Sequence, residues 1–206
     1  MSSLLKRLDK HFAAAAVAGV AAVGASANAA IVWSGIVNIN VPSTTSGVYL
    51  NVVTGQTGTS SSLSGWDLNP WSSTALNFFN STTSGQTVRT DMVGSGTVAN
   101  NLAQGTLISG ASTFTNNTGT QTTTGLNLNS SNNLFGFKFW HEGAGAYRYG
   151  WVRISLGTSA GAQPRSIVEY AYEDTGAGLE AGVVPGPAGL AALALGAAGL
   201  RSRRRK

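Results

Sequence analysis

Leu134-Phe135-Gly136-Phe137-Lys138-Phe139-Trp140-His141-Glu142-Gly143-Ala144-Gly145-Ala146-Tyr147-Arg148-Tyr149-Gly150-Trp151-Val152-Arg153-Ile154-Ser155-Leu156 is the stretch whose pattern decides the fold. Phe135, Phe137 and Phe139 alternate with Gly136, Lys138 and Trp140. Beyond a Gly- and Ala-rich break, Tyr147, Tyr149, Trp151 and Arg153 alternate with Arg148, Gly150, Val152 and Ile154. A period of two is that of a strand, whose successive side chains point to opposite faces, and the break between the two arms reads as a turn. The stretch predicts a β-hairpin with its apolar alternate positions facing a core.

Working outward, segments rich in β-branched and aromatic residues recur at 31–39, 47–53, 75–79, 87–93, 106–108 and 167–172, separated by Gly, Ser, Thr and Asn clusters. No apolar run of period 3.6 lies among them. Many short strands with frequent turn signals predict an all-β fold, a single jelly-roll-like β-sandwich. Residues 104–133 turn to Thr, Ser, Asn and Gly, a composition that suits exposed strands or loops equally. No fixed-period repeat is evident, which argues against a solenoid or propeller.

The two ends are different in kind. Lys6, Arg7 and Lys10 precede the uncharged apolar run 12–24, and Ala25-Ser26-Ala27-Asn28-Ala29-Ala30 follows. Basic, apolar and small-residue regions in that order predict a secretory signal peptide over 1–29, with Ala27 and Ala29 forming the A-x-A pattern and the cut falling before Ala30. At the other end, Val184-Pro185-Gly186-Pro187 precedes the Ala, Leu and Gly run 188–200, then Arg201, Arg203, Arg204, Arg205 and Lys206. As a helix that run spans ~20 Å, short of a ~30 Å hydrocarbon core. Extending it back to Val183 meets Pro185 and Pro187, and Pro is accepted in a first helical turn. The basic end would stay on the cytoplasmic side. The expected organisation is a signal helix at 1–29, a sandwich over 30–183, and a transmembrane sorting segment over 184–206.

The formal charge of +5 on 206 residues is an average over these unlike regions. The basic residues at the two ends account for the excess. Between Ala30 and Val184 stand Arg89, Lys138, Arg148, Arg153 and Arg165 against Asp67, Asp91, Glu142, Glu169, Glu173, Asp174 and Glu180, a balance of about −2. Such a body has no electrostatic footprint for phosphate backbones, so nucleic acid is not an expected partner. A charged fraction of 10% argues against a disordered polyelectrolyte or a coiled coil. The absence of Cys excludes a disulfide scaffold and a thiol nucleophile.

The tripartite tail, with Val184, Pro185, Pro187 and Arg203 to Arg205 in place, resembles the PEP-CTERM sorting signal of Gram-negative bacteria. Gly186 stands where that family has Glu. Gly47-Val48-Tyr49-Leu50-Asn51-Val52-Val53-Thr54-Gly55, Gly65-Trp66-Asp67-Leu68-Asn69-Pro70, Tyr149-Gly150-Trp151-Val152-Arg153 and Glu169-Tyr170-Ala171-Tyr172-Glu173 are similar to blocks of secreted proteins carrying such tails. The resemblance implies that the expected partners are the export machinery, signal peptidase, the inner membrane and an exosortase. It also implies transient anchoring in the inner membrane, followed by display at the cell surface or release outside the cell.

Signals for chemistry are sparse. Gly157-Thr158-Ser159-Ala160-Gly161 fits G-x-S-x-G, but a nucleophile elbow needs a helix after it, and another strand follows instead. His141 is the one His beyond the signal, and it lacks the H-E-x-x-H spacing. Asp67 and Asn69 are two residues apart, without the remaining oxygens calcium requires, and read as turn formers. Of the five Trp, Trp140 and Trp151 are expected to pack in the sandwich. Trp66 and Trp71, in a loop with Pro and Asp, are the candidates for exposure as sugar-stacking rings. The expectation is a non-enzymatic protein without cofactor or metal. A carbohydrate-binding module with polysaccharide as partner is the alternative, and a hydrolase centred on Ser159 or His141 comes third.

Overall fold

The computed structural model describes residues 31–79, 90–115 and 119–184. Among them there is no helix. The strands in chain order are β1 (Ile31–Trp33), β2 (Ile39–Asn40), β3 (Tyr49–Leu50), β4 (Thr57–Gly58), β5 (Pro70–Trp71), β6 (Asn77–Phe79), β7 (Thr90–Met92), β8 (Gly94–Ser95), β9 (Val98–Asn100), β10 (Leu107–Ile108), β11 (Thr120–Thr124), β12 (Ser130–His141), β13 (Ala146–Leu156), β14 (Arg165–Glu173) and β15 (Leu179–Glu180).

A six-stranded sheet has the order β1-β14-β13-β12-β7, with β2 also pairing β14. A five-stranded sheet has the order β5-β6-β11-β9-β8. Two ribbons, β3-β4 and β10-β15, complete the set. The described chain is all-β in several sheets, consistent with a β-sandwich. The predicted hairpin is its longest element, β12 and β13, closed by the pair His141↔Ala146. Gly145 takes φ +59° in the turn, and its N–H reaches the His141 carbonyl at 2.9 Å. The segment predicted as one strand over 31–39 is two strands. Gly35 and Asn38 adopt left-handed φ between them, and both strands then pair with β14.

The register revises one expectation about the hairpin. Cross-strand partners share a face of the sheet. Phe135 lies opposite Val152, and Phe137 opposite Gly150. The Phe residues therefore share a face with Val152 and Ile154, while Tyr149 and Trp151 point the other way. Both faces are covered. On the inner face Phe135, Phe137, Phe139, Val152, Ile154, Ile167 and Tyr172 pack with Leu50, Leu68, Leu76 and Phe78 in the main core. Phe78 of the five-stranded sheet meets Phe135 with ring centroids 5.0 Å apart. On the outer face Trp151, Leu134 and Ala171 pack under Ile108, Leu179 and Ala181 of the β10-β15 ribbon. Gly150 makes room for the inner layer, since a Cβ there would stand 2.5 Å from the Phe137 ring. Trp151 is fully buried in this outer layer, and Trp140 is half-buried, edge-on to Tyr147.

The polar stretch 104–133 resolves into both of its readings. Thr120–Thr124 forms β11, which pairs antiparallel with β6 and parallel with β9. Much of the remainder is loop.

Candidate functional site

The segment containing Trp66 and Trp71 is built by buried polar side chains that satisfy backbone groups. Asp67 Oδ2 accepts the Val52 N–H at 2.9 Å. Asn69 Nδ2 donates to the carbonyls of Ser46 and Val48 at 2.9 and 3.0 Å. Asn51 Oδ1 accepts from Val53 and Thr54 N–H, and its Nδ2 donates to Ser64 O. Asp67 and Asn69 are thus not local turn formers as expected: their side chains tie the segment to backbone 15 to 23 residues away, and it is Asn51 that makes the local Asx turn. Among the described residues no group of three or more His, Asp and Glu is placed to hold a metal ion.

The two Trp part company. Trp66 is only 8% exposed, with Tyr49 edge-on at 4.9 Å and Phe79 stacked at 6.3 Å. It therefore presents no free face to solvent, contrary to the expected exposure. Its loop folds back, so that its ring lies against Tyr49 and Phe79. Trp71 is half-buried and lines an open cleft of about 220 Å³ with Thr45, Tyr49, Asn69, Phe79 and Thr120. Its Nε1 is buried, so the ring presents carbon to the cleft.

The chain reaches this arrangement through two local constraints. Gly47, at φ +61°, lies so close to β5 that a Cβ would stand 2.1 Å from Pro70 O and 2.5 Å from Trp71 Cβ. Tyr49 follows from alternation, because Val48, Leu50 and Val52 belong to the main core and Tyr49 takes the opposite face. Adjacent Phe78 and Phe79 part in the same way: Phe78 is buried and Phe79 is 40% exposed. That phase difference is the sequence signal for Tyr49 and Phe79, and composition in Trp alone does not carry it.

The backbone just after Trp71 is bound by Arg165, which is 1% exposed. Its Nε donates to Val41 O at 3.0 Å, Nη1 to Ala75 O and Ala160 O at 2.8 and 3.0 Å, and Nη2 to Pro42 O and Ser72 O at 2.6 and 2.5 Å. Burial lowers the guanidinium's pKa from its usual value, and five carbonyl dipoles compensate the lost hydration. Ser72, the residue after Trp71, is held besides by Thr44 O and caps Thr74 and Ala75 N–H through its Oγ. Arg165 thus fixes the backbone that carries Trp71.

The other sequence candidates fall elsewhere. Ser159 lies in the β13–β14 loop and its Oγ accepts the Ala162 N–H at 3.2 Å; no helix follows it. The Nδ1 of His141 accepts the Ala144 N–H at 3.2 Å, within the hairpin turn. The two residues flank opposite ends of β13, whose length is roughly 33 Å at a strand's rise. They do not form one site. On the outer face Lys138 pairs with Asp91 at 2.9 Å and stands over the Phe114 and Tyr147 rings. Burial raises the Asp91 carboxyl pKa, although the Lys138 hydrogen bond and charge oppose it. Arg153 pairs with Glu169 at 2.7 Å, and Glu169 also accepts Trp33 Nε1–H at 2.8 Å.

Val184 packs half-buried against the outer core. Ala27, Ala29, Ala30, Pro185, Gly186, Pro187 and the basic residues 201–206 lie outside the described residues, as does the apolar run 188–200. Among the described residues no helix is long and apolar enough to cross a membrane. Compared with known proteins, the chain matches no family model, no curated protein and no solved structure.

Proposed function

We propose that this chain is a non-enzymatic exported protein, sorted by an exosortase-type system to the cell surface or extracellular matrix of a Gram-negative cell. The observation that carries the reading is the order of the tail: Val184-Pro185-Gly186-Pro187, the uncharged run 188–200, then the basic residues Arg201, Arg203, Arg204, Arg205 and Lys206. In this reading the segment 1–29 directs export and is removed by signal peptidase. A single jelly-roll-like sandwich over 30–183 is the delivered body. The segment 184–206 halts in the inner membrane until exosortase cuts near Pro185 to Pro187. Ile31 and Val184 both lie against the outer core, so a cut before Ala30 and one near Pro185 to Pro187 would leave that core whole. The mass of the native protein isolated from its cells tests the reading. A species lacking both end segments is expected, and a chain with both ends intact overturns the proposal.

The cleft of Tyr49, Trp71 and Phe79 favours a second reading, compatible with the first, in which the body is a carbohydrate-binding module for surface glycan or exopolysaccharide. Aromatic rings beside hydroxyl and amide groups suit a ligand with one apolar face and a polar edge.

A further inference from the structure

We infer that the cleft between β3, β5 and β6 takes a single uncharged sugar unit of a polysaccharide, held by Tyr49, Trp71 and Phe79, with Trp66 as a positioning residue beneath them. The inference rests on the carbohydrate-binding reading and specifies its ligand and contacts.

Size comes first. At about 220 Å³ the cleft lies below the ~300 Å³ at which pockets for drug-sized ligands begin, so it holds one ring rather than an oligomer. Charge comes next. The lining residues Thr45, Tyr49, Asn69, Trp71, Phe79 and Thr120 include no Asp, Glu, Lys, Arg or His. Among the described residues that line the cleft none is a cation, so a uronic acid or sulfated unit would lose hydration against them with no charge to offset it. A neutral unit loses only hydroxyl hydration, which the hydroxyl of exposed Thr45 can help replace.

Geometry then separates contact from support. Phe79 and Trp71 border the open cleft. Trp66 does not line it, yet it meets Tyr49 and Phe79 at 4.9 and 6.3 Å. Its indole therefore sets the positions of two lining rings. Trp33, 41% exposed on β1, lies in the other sheet and serves as a surface-Trp control.

Affinity electrophoresis of the full chain in detergent micelles tests this, with gels carrying uncharged glucan, mannan or galactan in one set and alginate or polygalacturonate in another. Retardation by at least one uncharged polymer is expected, unchanged between about 0.05 and about 0.5 M salt. Trp71→Ala and Phe79→Ala should each weaken it about tenfold. Trp33→Ala should leave it intact. Trp66→Ala should weaken it, and Trp66→Phe should restore most of it. Phe79→Ala removes a ring that is 40% exposed and outside the main core, so it keeps the test readable if the Trp variants unfold. Retardation by no polymer overturns the carbohydrate-binding reading itself. Retardation that survives Trp71→Ala and Phe79→Ala, or salt-sensitive retardation by acidic polymers alone, overturns this inference while leaving that reading standing. The mass measurement of processing is independent of every one of these outcomes.

Discussion

The two faces of the six-stranded sheet are both buried, but by different means. The inner face meets a second sheet and shares a core of Phe, Leu, Ile and Val contributed by most of the chain. The outer face is closed by the two-residue strands of the β10-β15 ribbon over Trp151, Leu134 and Ala171. Ion pairs ring that thin cover: Lys138 with Asp91, and Arg153 with Glu169. A sheet face lined by an aromatic residue must be covered, but a cover of two short strands makes few contacts and can open by itself. The inner face should therefore carry global stability, and the outer face should behave as a locally detachable lid.

Substitutions can break or sharpen that contrast. Arg165→Ala removes a donor from five backbone carbonyls, of which Val41 O keeps Gln163 Nε2, and should cost about 4–5 kcal/mol, read as a loss of denaturant midpoint. Arg165→Lys should recover little, because an ammonium has three donors and no fork. Phe135→Ala, in the inner core, should cost about 3–4 kcal/mol, and Leu179→Ala, in the ribbon, about 2 kcal/mol. Equal costs for these last two would mean that the faces are equally coupled to folding. The smallest effect is at Asp91. Its folded pKa is raised by burial, so its native carboxyl binds protons more readily than the unfolded one. Stability from this group is therefore highest below the ordinary carboxylate range and falls as pH rises through the raised value. Asn does not titrate. Denaturant unfolding at pH 4 and pH 7 should show the parent chain gaining on Asp91→Asn at the lower pH; no change between the two would remove the group from the account.

The hairpin was legible because its period of two persists across both arms, and Val48-Tyr49-Leu50 and Phe78-Phe79 carry the same phase information at shorter range. What sequence did not convey depends on partners distant in the chain. Whether Thr120–Thr124 becomes a strand is decided by β6 and β9 alongside it, not by five polar residues. Two-residue strands such as β4 and β15 have no period to read. Trp66 and Trp71 read alike in sequence, as residues of one loop, but Trp71 belongs to β5, paired with Asn77, while Trp66 stays in the loop that folds back on Tyr49. Nothing in the sequence marks Arg165, since its acceptors are backbone carbonyls, four of them about 90 to 120 positions away, and carbonyls leave no signature in side-chain identity.

That last property bears on how the chain can change over generations. A cation matched to a carboxylate ties two positions together, so that altering one selects for altering the other. Arg165 is matched only to peptide oxygens, which every amino acid supplies. The loops around it are free to drift in sequence so long as their path holds, while the arginine itself has no compensating replacement and no covarying partner.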